Sequence, residues 1–260
     1  MMNAALVQRS PVRAFMKSIN GGLAPGEIGV IASRSGIGKT SVLVQIAMDK
    51  LLHGKKIIHV SFTQHTDYVL LWYKNILDEF LKKKNIKVEQ DVENQLTKNR
   101  VLMKFNQEGI SVDQILRSLR AMIKDGGFAA EHVIVDGYNF TSRERDNISR
   151  FKDFGKELEL SLWFSCNVNG EPFYNQKNIP AIIGDYADLF DVIVALEPKQ
   201  ETMKPVSREP KTRTNQEPGK QAQSDYIEFV ICRNRGAAKP KQPALRLDPR
   251  TLLILEADSK

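Results

Sequence analysis

Apolar positions along the chain fall into short continuous runs, separated by longer stretches of helical period. The run "EIGVIA" (27–32) predicts a buried strand, and "KTSVLVQIAMDKLLHG" after it predicts a helix closed by Gly54. A second strand follows in "KKIIHVSF". "TDYVLLWYKNILDEFLKKK" then sets apolar residues at 69, 70, 73, 76, 77, 80 and 81, one face of a helix, with Asp67 placed to cap it. A polar stretch near 85–99 leads to the strand "RVLMKF". "SVDQILRSLRAMIKDGG" opens with Ser111 and Gln114 at capping-box spacing and stops at Gly126-Gly127. Beyond it come the strand "HVIVD" (132–136), the basic turn "GYNFTSRERD", the helix "NISRFKDFGKELE" and the strand "LSLWFSCNVN". A loop, "DYADLF" and the strand "DVIVALEP" complete the series.

Strands alternating with helices predict an α/β fold: a mostly parallel sheet, helices on both faces, and a ligand at the strands' carboxyl ends. The alternation stops at Pro198. Residues 199–224 are rich in charge, Pro and Gln with almost nothing to bury, which predicts a basic insert disordered unless bound. Within 225–256, "DYIEFVICRNRG", "ALRL" and "TLLILEA" predict a closing antiparallel meander. We expect one domain over 1–260, with a flexible start over 1–11.

Composition narrows this picture. The 260 residues, 42% of them hydrophobic, suffice for one substantial α/β domain. No apolar run approaches the length of a membrane span, and "MMNAALVQRSPVRAFMK" lacks the apolar block of a secretion signal. Cys166 and Cys232 each sit in an apolar segment, which fits a reduced cytoplasmic protein without membrane association. His53, His59, His65 and His132 have no partner at metal-ligand spacing. The net charge of +7 is uneven: residues 199–250 carry six Lys/Arg against three Asp/Glu, then none against two, then six against one. That sums to +6 and suits a polyanionic partner.

The chemistry concentrates in "GVIASRSGIGKTS" (29–41), where a strand runs into a glycine-rich turn and a helix begins. Small residues let backbone N–H groups curl round phosphate oxygens while the helix start supplies positive potential. Ser33, Arg34, Ser35, Gly36, Ile37, Gly38, Lys39, Thr40 and Ser41 form the candidate phosphate loop. It departs from GxxxxGK(S/T) at Ser33, where a small side chain at the strand exit meets the same need. Lys39 is the candidate for the β/γ-phosphates of ATP, and Thr40 for Mg²⁺. Asp136, ending "HVIVD", is the second candidate for Mg²⁺, through water.

With these motifs in this order, the chain resembles the RecA-like P-loop ATPases, in the branch of DnaB-type helicases, RadA-type recombination proteins and KaiC. The resemblance covers roughly 12–198 and 225–256 and includes "FMKSINGGLAPGEIGVIASRSGIGKTS", "FSCNVN" and "GDYADLFDVIVAL". It implies a RecA-like core and places Asn167 near the γ-phosphate. It also matches "CRNRG" to the family's Lys-x-Arg pair, so Arg233 and Arg235 would reach a neighbouring subunit's γ-phosphate from one face of a strand. A homo-oligomeric ring or filament with nucleotide between subunits follows from that match.

The resemblance breaks after the second strand. Where the family carries a water-activating glutamate, this chain has Thr63 and Gln64, neither able to accept a proton at neutral pH. Binding without efficient hydrolysis is the expectation. Relatives place DNA-contacting loops where this chain has 137–150, with Arg143, Arg145 and Arg150, and 170–180, with Phe173, Tyr174 and Lys177. Cations beside aromatic rings suit single-stranded DNA, and solvated surface accounts for them equally. Two functions stay open: an ATP-binding protein acting on DNA with weak or partner-activated hydrolysis, and a nucleotide-gated regulatory or assembly module without turnover.

Overall fold

A computed structural model describes residues 10, 12–85, 90–106, 108–140, 145–200, 226–237 and 240–256. Its strands are β1 (Ile28–Ser33), β2 (Ile57–Ser61), β3 (Arg100–Lys104), β4 (His132–Asp136), β5 (Ser161–Asn167), β6 (Val192–Lys199), β7 (Tyr226–Asn234), β8 (Leu245–Leu247) and β9 (Ile254–Glu256). Its helices are α1 (Arg13–Ser18), α2 (Lys39–Leu52), α3 (Thr66–Lys84), α4 (Gln90–Lys98), α5 (Val112–Arg120) and α6 (Arg145–Glu157). A π-helical turn, Ala121–Asp125, extends α5, and a 3-10 segment spans Ala181–Leu189.

The strands join one sheet in the order β3-β2-β4-β5-β1-β6-β7-β8-β9. Strands β1 to β6 pair in parallel, while β6-β7, β7-β8 and β8-β9 pair antiparallel. The α/β class, the mostly parallel sheet and the antiparallel closing run agree with the sequence pattern. Both β1 and β2 are buried along their whole length, as strands covered on two faces must be.

Side-chain alternation divides the core in two. Ile31, Ile134, Trp163 and Val194 face one apolar cluster, packed with α1, α2, α3 and α4. Val30, Val135, Phe164 and Ile193 face the other, packed with α5, α6 and the 3-10 segment. On the first face Phe15 of α1 lies 5.9 Å from the Trp163 ring and 5.6 Å from Phe229, so α1 bridges the parallel and antiparallel parts. A Cβ on Gly29 would stand 2.7 Å from the Trp163 ring; the glycine makes room for the indole.

Several expectations change in detail. The polar stretch before β3 contains α4, a short and otherwise polar helix anchored by buried Val92 and Leu96, one turn apart. Helix α3 begins at Thr66 with His65 as its cap residue, so Asp67 sits in the first turn, 3.3 Å from His65 Nδ1, and caps nothing. Its stripe buries Val69, Tyr73, Ile76, Leu77 and Phe80 but leaves Leu70 exposed. The capping box of Ser111 and Gln114 forms as expected. Helix α6 starts at Arg145, two residues before the predicted "NISRFKDFGKELE", so Arg145 and Arg150 lie on a helix rather than in the loop that the resemblance implies. Lys199 completes β6 opposite Tyr226, so the predicted insert starts later; residues 201–225 lie outside the described ones, as do 1–9 and 11. Ser10 is buried.

Two histidines sit inside this fold. His59 on β2 is fully buried, its Nδ1 3.1 Å from the Tyr73 hydroxyl, and burial pushes its pKa from 6.5 down to about 4. Burial, helped by Lys50 and Lys55, pushes His132 down to about 3. Both are neutral when folded and take up a proton when unfolded below pH 6.5. Their stability contribution is therefore complete above that pH and is lost as pH falls toward 4. We expect unfolding free energy from urea titrations to fall across this window by on the order of 1 kcal/mol per pH unit per histidine. The His132→Gln variant should show the shallower slope.

Candidate functional site

Polar residues end the central strands side by side at their carboxyl edge. Register sets Ser33 of β1 beside Asn167 of β5, and Ser61 of β2 beside Asp136 of β4. The turn from β1 into α2 wraps over this edge. Gly36 at φ +79° and Gly38 at φ +105° occupy backbone conformations that side chains disfavour. A Cβ on Gly38 would also stand 2.6 Å from Leu247 Cδ2, so the loop needs glycine there for space as well as for φ. Ser41 Oγ donates to Gly38 O at 2.7 Å and secures the first turn of α2.

The Lys39 ammonium is buried and folds back onto its own loop. It donates to Arg34 O at 2.9 Å, Ser33 Oγ at 3.1 Å and Ser33 O at 3.3 Å. Ser33, the departure from the glycine pattern, thus supplies a hydroxyl to the lysine and is itself fully buried. Burial lowers the Lys39 pKa to about 8, against the raising influence of Cys166 and Asp136. A desolvated cation held by neutral oxygens gains most from an incoming anion.

Asp136 is buried at the same edge. Its Oδ2 accepts from Thr40 Oγ1 at 2.8 Å and its Oδ1 from Ser165 Oγ at 2.6 Å. Ser165 Oγ also accepts from Gly137 N at 2.7 Å. A cavity of about 290 Å³ lies above this cluster, lined in part by Gly36, Gly38, Lys39, Thr40, Asp136 and Asn167. It brings together the loop, both candidate Mg²⁺ residues and Asn167. Arg34 turns outward, paired with Glu171 and 6.0 Å from the Phe173 ring centre, which ties the loop to segment 170–180.

Thr63 and Gln64 line the same cavity. Thr63 packs on Gly137, where a Cβ would meet it at 2.7 Å, and Ser61 Oγ fixes the turn by bonding Gln64 O at 3.0 Å and Gln64 N at 3.1 Å. Gln64 Oε1 is buried without a hydrogen-bond partner. Thr63, Gln64 and Trp72 also line an adjoining groove of about 460 Å³, walled by Tyr68 and Leu71 of α3. Ser165, Trp72 and Leu252 are the site residues that sequence reasoning missed. Ser165 carried a signal, a second polar position two residues before Asn167 in an apolar strand. Leu252 carried none; it reaches the cavity because Gln45 of α2 donates to its carbonyl at 2.8 Å and accepts from Ile254 N at 2.9 Å.

The two arginines of "CRNRG" lie elsewhere. Strand β7 runs antiparallel to β6, so its carboxyl end pairs with Val192 at the opposite end of the parallel strands from the cavity. The strand ends at Asn234, and Arg235 follows at φ +53°, so the expected shared strand face is broken. Arg233 Nε donates to Phe190 O at 2.8 Å. Arg235 makes a two-point ion pair with Glu27, 2.8 Å at each oxygen, and donates to Ile19 O and Gly22 O. Burial opposes the Glu27 charge, yet Arg235, the Ala24 amide and Lys152 hold its pKa below the ordinary value. Arg235 therefore clamps the α1–β1 connection to the end of β7.

The remaining candidate cations do not gather with the cavity. Arg145 pairs with Asp188, and Arg150 with Asp113 of α5, both on the surface of α6. Lys177 is exposed in a turn whose backbone is held by Asn175 Oδ1. Arg143 lies outside the described residues. Among the described residues no three His, Cys, Asp or Glu side chains converge as a metal cluster, and no helix is long and apolar enough to cross a membrane.

Compared with protein-family models and with curated proteins, the chain matches none.

Two substitutions test this geometry by urea unfolding. Gly38→Ala should destabilise the protein by about 1–3 kcal/mol, through strain at positive φ and the clash with Leu247. Arg235→Ala should cost about 2–4 kcal/mol, since it strands Glu27 and two carbonyls. A residue serving only as a reacting-group contact would leave stability unchanged.

Proposed function

We propose that the chain is a RecA-like ATP-binding protein that holds ATP with Mg²⁺ on the β1–α2 loop, forms a homo-oligomer and acts on DNA, with weak or partner-activated hydrolysis. The observation that carries the reading is the 2.8 Å contact of Thr40 Oγ1 with Asp136 Oδ2, between residues 96 positions apart, directly beside the buried Lys39 ammonium. An alcohol and a carboxylate are hard oxygen donors that suit Mg²⁺, which completes its shell with water and phosphate oxygens. When bound, Mg²⁺ neutralises charge on the phosphate oxygens. The chain's own part is to cradle phosphate with the amides of Gly36 to Thr40, to redirect Lys39 from its loop oxygens to the β/γ-phosphates, and to present Asn167 toward the γ-phosphate. The adjoining groove, with Tyr68, Leu71 and Trp72, offers apolar surface for the nucleoside. The net charge of +7 supports a polyanionic partner.

Weak hydrolysis follows from the cavity lining. Asp136 is the one carboxylate among the described lining residues, and two hydroxyls occupy it. Gln64 Oε1 can accept a hydrogen bond from water but cannot remove its proton. The same observation favours a second reading, a nucleotide-gated module in which ATP is a structural ligand without turnover. In either case the arginines need exchange of their present bonds before they can serve a neighbouring subunit.

ATP with Mg²⁺ should raise the melting temperature, by the equivalent of about 2.7 kcal/mol at a hundredfold excess over Kd, and Lys39→Ala should abolish the shift. An unchanged melting temperature at millimolar ATP would refute both readings. Phosphate release should be slow, rise with single-stranded DNA, and increase by about 10²-fold or more in Thr63→Glu. No turnover under any of these conditions would leave the structural-ligand reading.

A further inference from the structure

Two adjoining cavities, of about 490 and 620 Å³, open along the outer edge of the sheet where β9 ends it. They share Ala14, Lys17 and Glu256 and have no lining residue in common with the phosphate-loop cavity. Their walls carry Arg13 and Lys17 of α1, Lys83 and Lys84 at the end of α3, and Lys241 before β8. Among the described lining residues five cations thus face one carboxylate, Glu256. All five are exposed, and Lys17, Lys83, Lys84 and Lys241 make no ion pair among the described residues. Lys83 lies near enough to Asp248 to lower its pKa, a minor influence beside burial and local hydrogen bonds. Arg145 and Arg150, which the family resemblance singled out, are by contrast already neutralised by Asp188 and Asp113.

We infer that this groove binds the sugar–phosphate backbone of single-stranded nucleic acid without reading its sequence. The inference rests on the nucleic-acid part of the proposed function and not on nucleotide binding. Cations spaced along a groove follow successive phosphates, and each contact releases counterions. Concavity excludes a flat bilayer, and cavities of this size take single nucleotides rather than a duplex. Apolar wall between the cations, from Ala14, Leu253 and Pro243, accommodates sugars and bases. Two of the three amides in the described lining are already committed, and the third, Asn20, is exposed at the rim. Gln242 brackets Ile231 with bonds of 2.8 and 2.9 Å, and Asn234 Oδ1 accepts from Arg235 at 2.8 Å.

The test measures fluorescence anisotropy of labelled oligothymidylate and mixed-sequence single strands against the full chain over a salt series. The double variant Lys83→Glu, Lys84→Glu should lose tenfold or more in affinity and reduce the salt slope by about 2. Lys98→Glu, at the exposed end of α4 and outside the groove, should bind as the unmodified protein does. Retention of the ATP-induced melting shift in the double variant shows that its fold and cleft persist, so the two readings fail separately. Salt-independent binding, absence of binding, equal affinity of the double variant, or competition by polyglutamate as strong as by oligothymidylate would each overturn the inference.

Discussion

One buried carboxylate organises the functional edge of this molecule. Asp136 accepts from Thr40 on one side and Ser165 on the other, so a single side chain joins the phosphate-type loop, the end of β4 and the end of β5. A buried carboxyl group is tolerated there because both of its oxygens are hydrogen-bonded. Without that centre the loop has no fixed height over the sheet, and Lys39, Asn167 and Thr63 have no common cavity to face.

The antiparallel closing strands contribute more than area to the sheet. Leu247 fills the space that a side chain on Gly38 would need, and Gln45 grips the backbone on both sides of Leu253. The loop is therefore held from its sheet side by Asp136 and from its outer side by the β8–β9 turn. At the far end, Arg235 ties β7 to the start of β1 through Glu27. The two residues of "CRNRG" act on the opposite pole of the sheet from the cavity, which suits bracing within the subunit and makes any service to a neighbour conditional on exchanging those bonds.

Charge follows the same logic of commitment. A positive side chain attracts a polyanion in proportion to what it is not already paired with. The helix α6 arginines are paired; Lys17, Lys83 and Lys84 make no ion pair among the described residues, whereas Lys82 lies 4.0 Å from Glu79. Concentration of positive charge in the last quarter of the sequence is thus a poor guide to the surface on which it acts, because α1 and α3 come from the first third of the chain.

Local pattern determined the strands, most helices, the capping box at Ser111, the α/β class and the antiparallel end, since each depends on periods of a few residues and on turn chemistry. It also placed the glycine-rich turn from β1 into α2, because Gly36 and Gly38 take up positive φ there. It missed α4, a short and otherwise polar helix anchored by Val92 and Leu96, and it began α6 at Asn147, two residues late. Only the tertiary structure decided that Ser33 supports Lys39, that Ser165 and Leu252 belong to the cavity, and that Arg235 is a clamp. All but the first of those facts depend on contacts across up to 216 positions, where partners are chosen by sheet order and register rather than by neighbours in sequence.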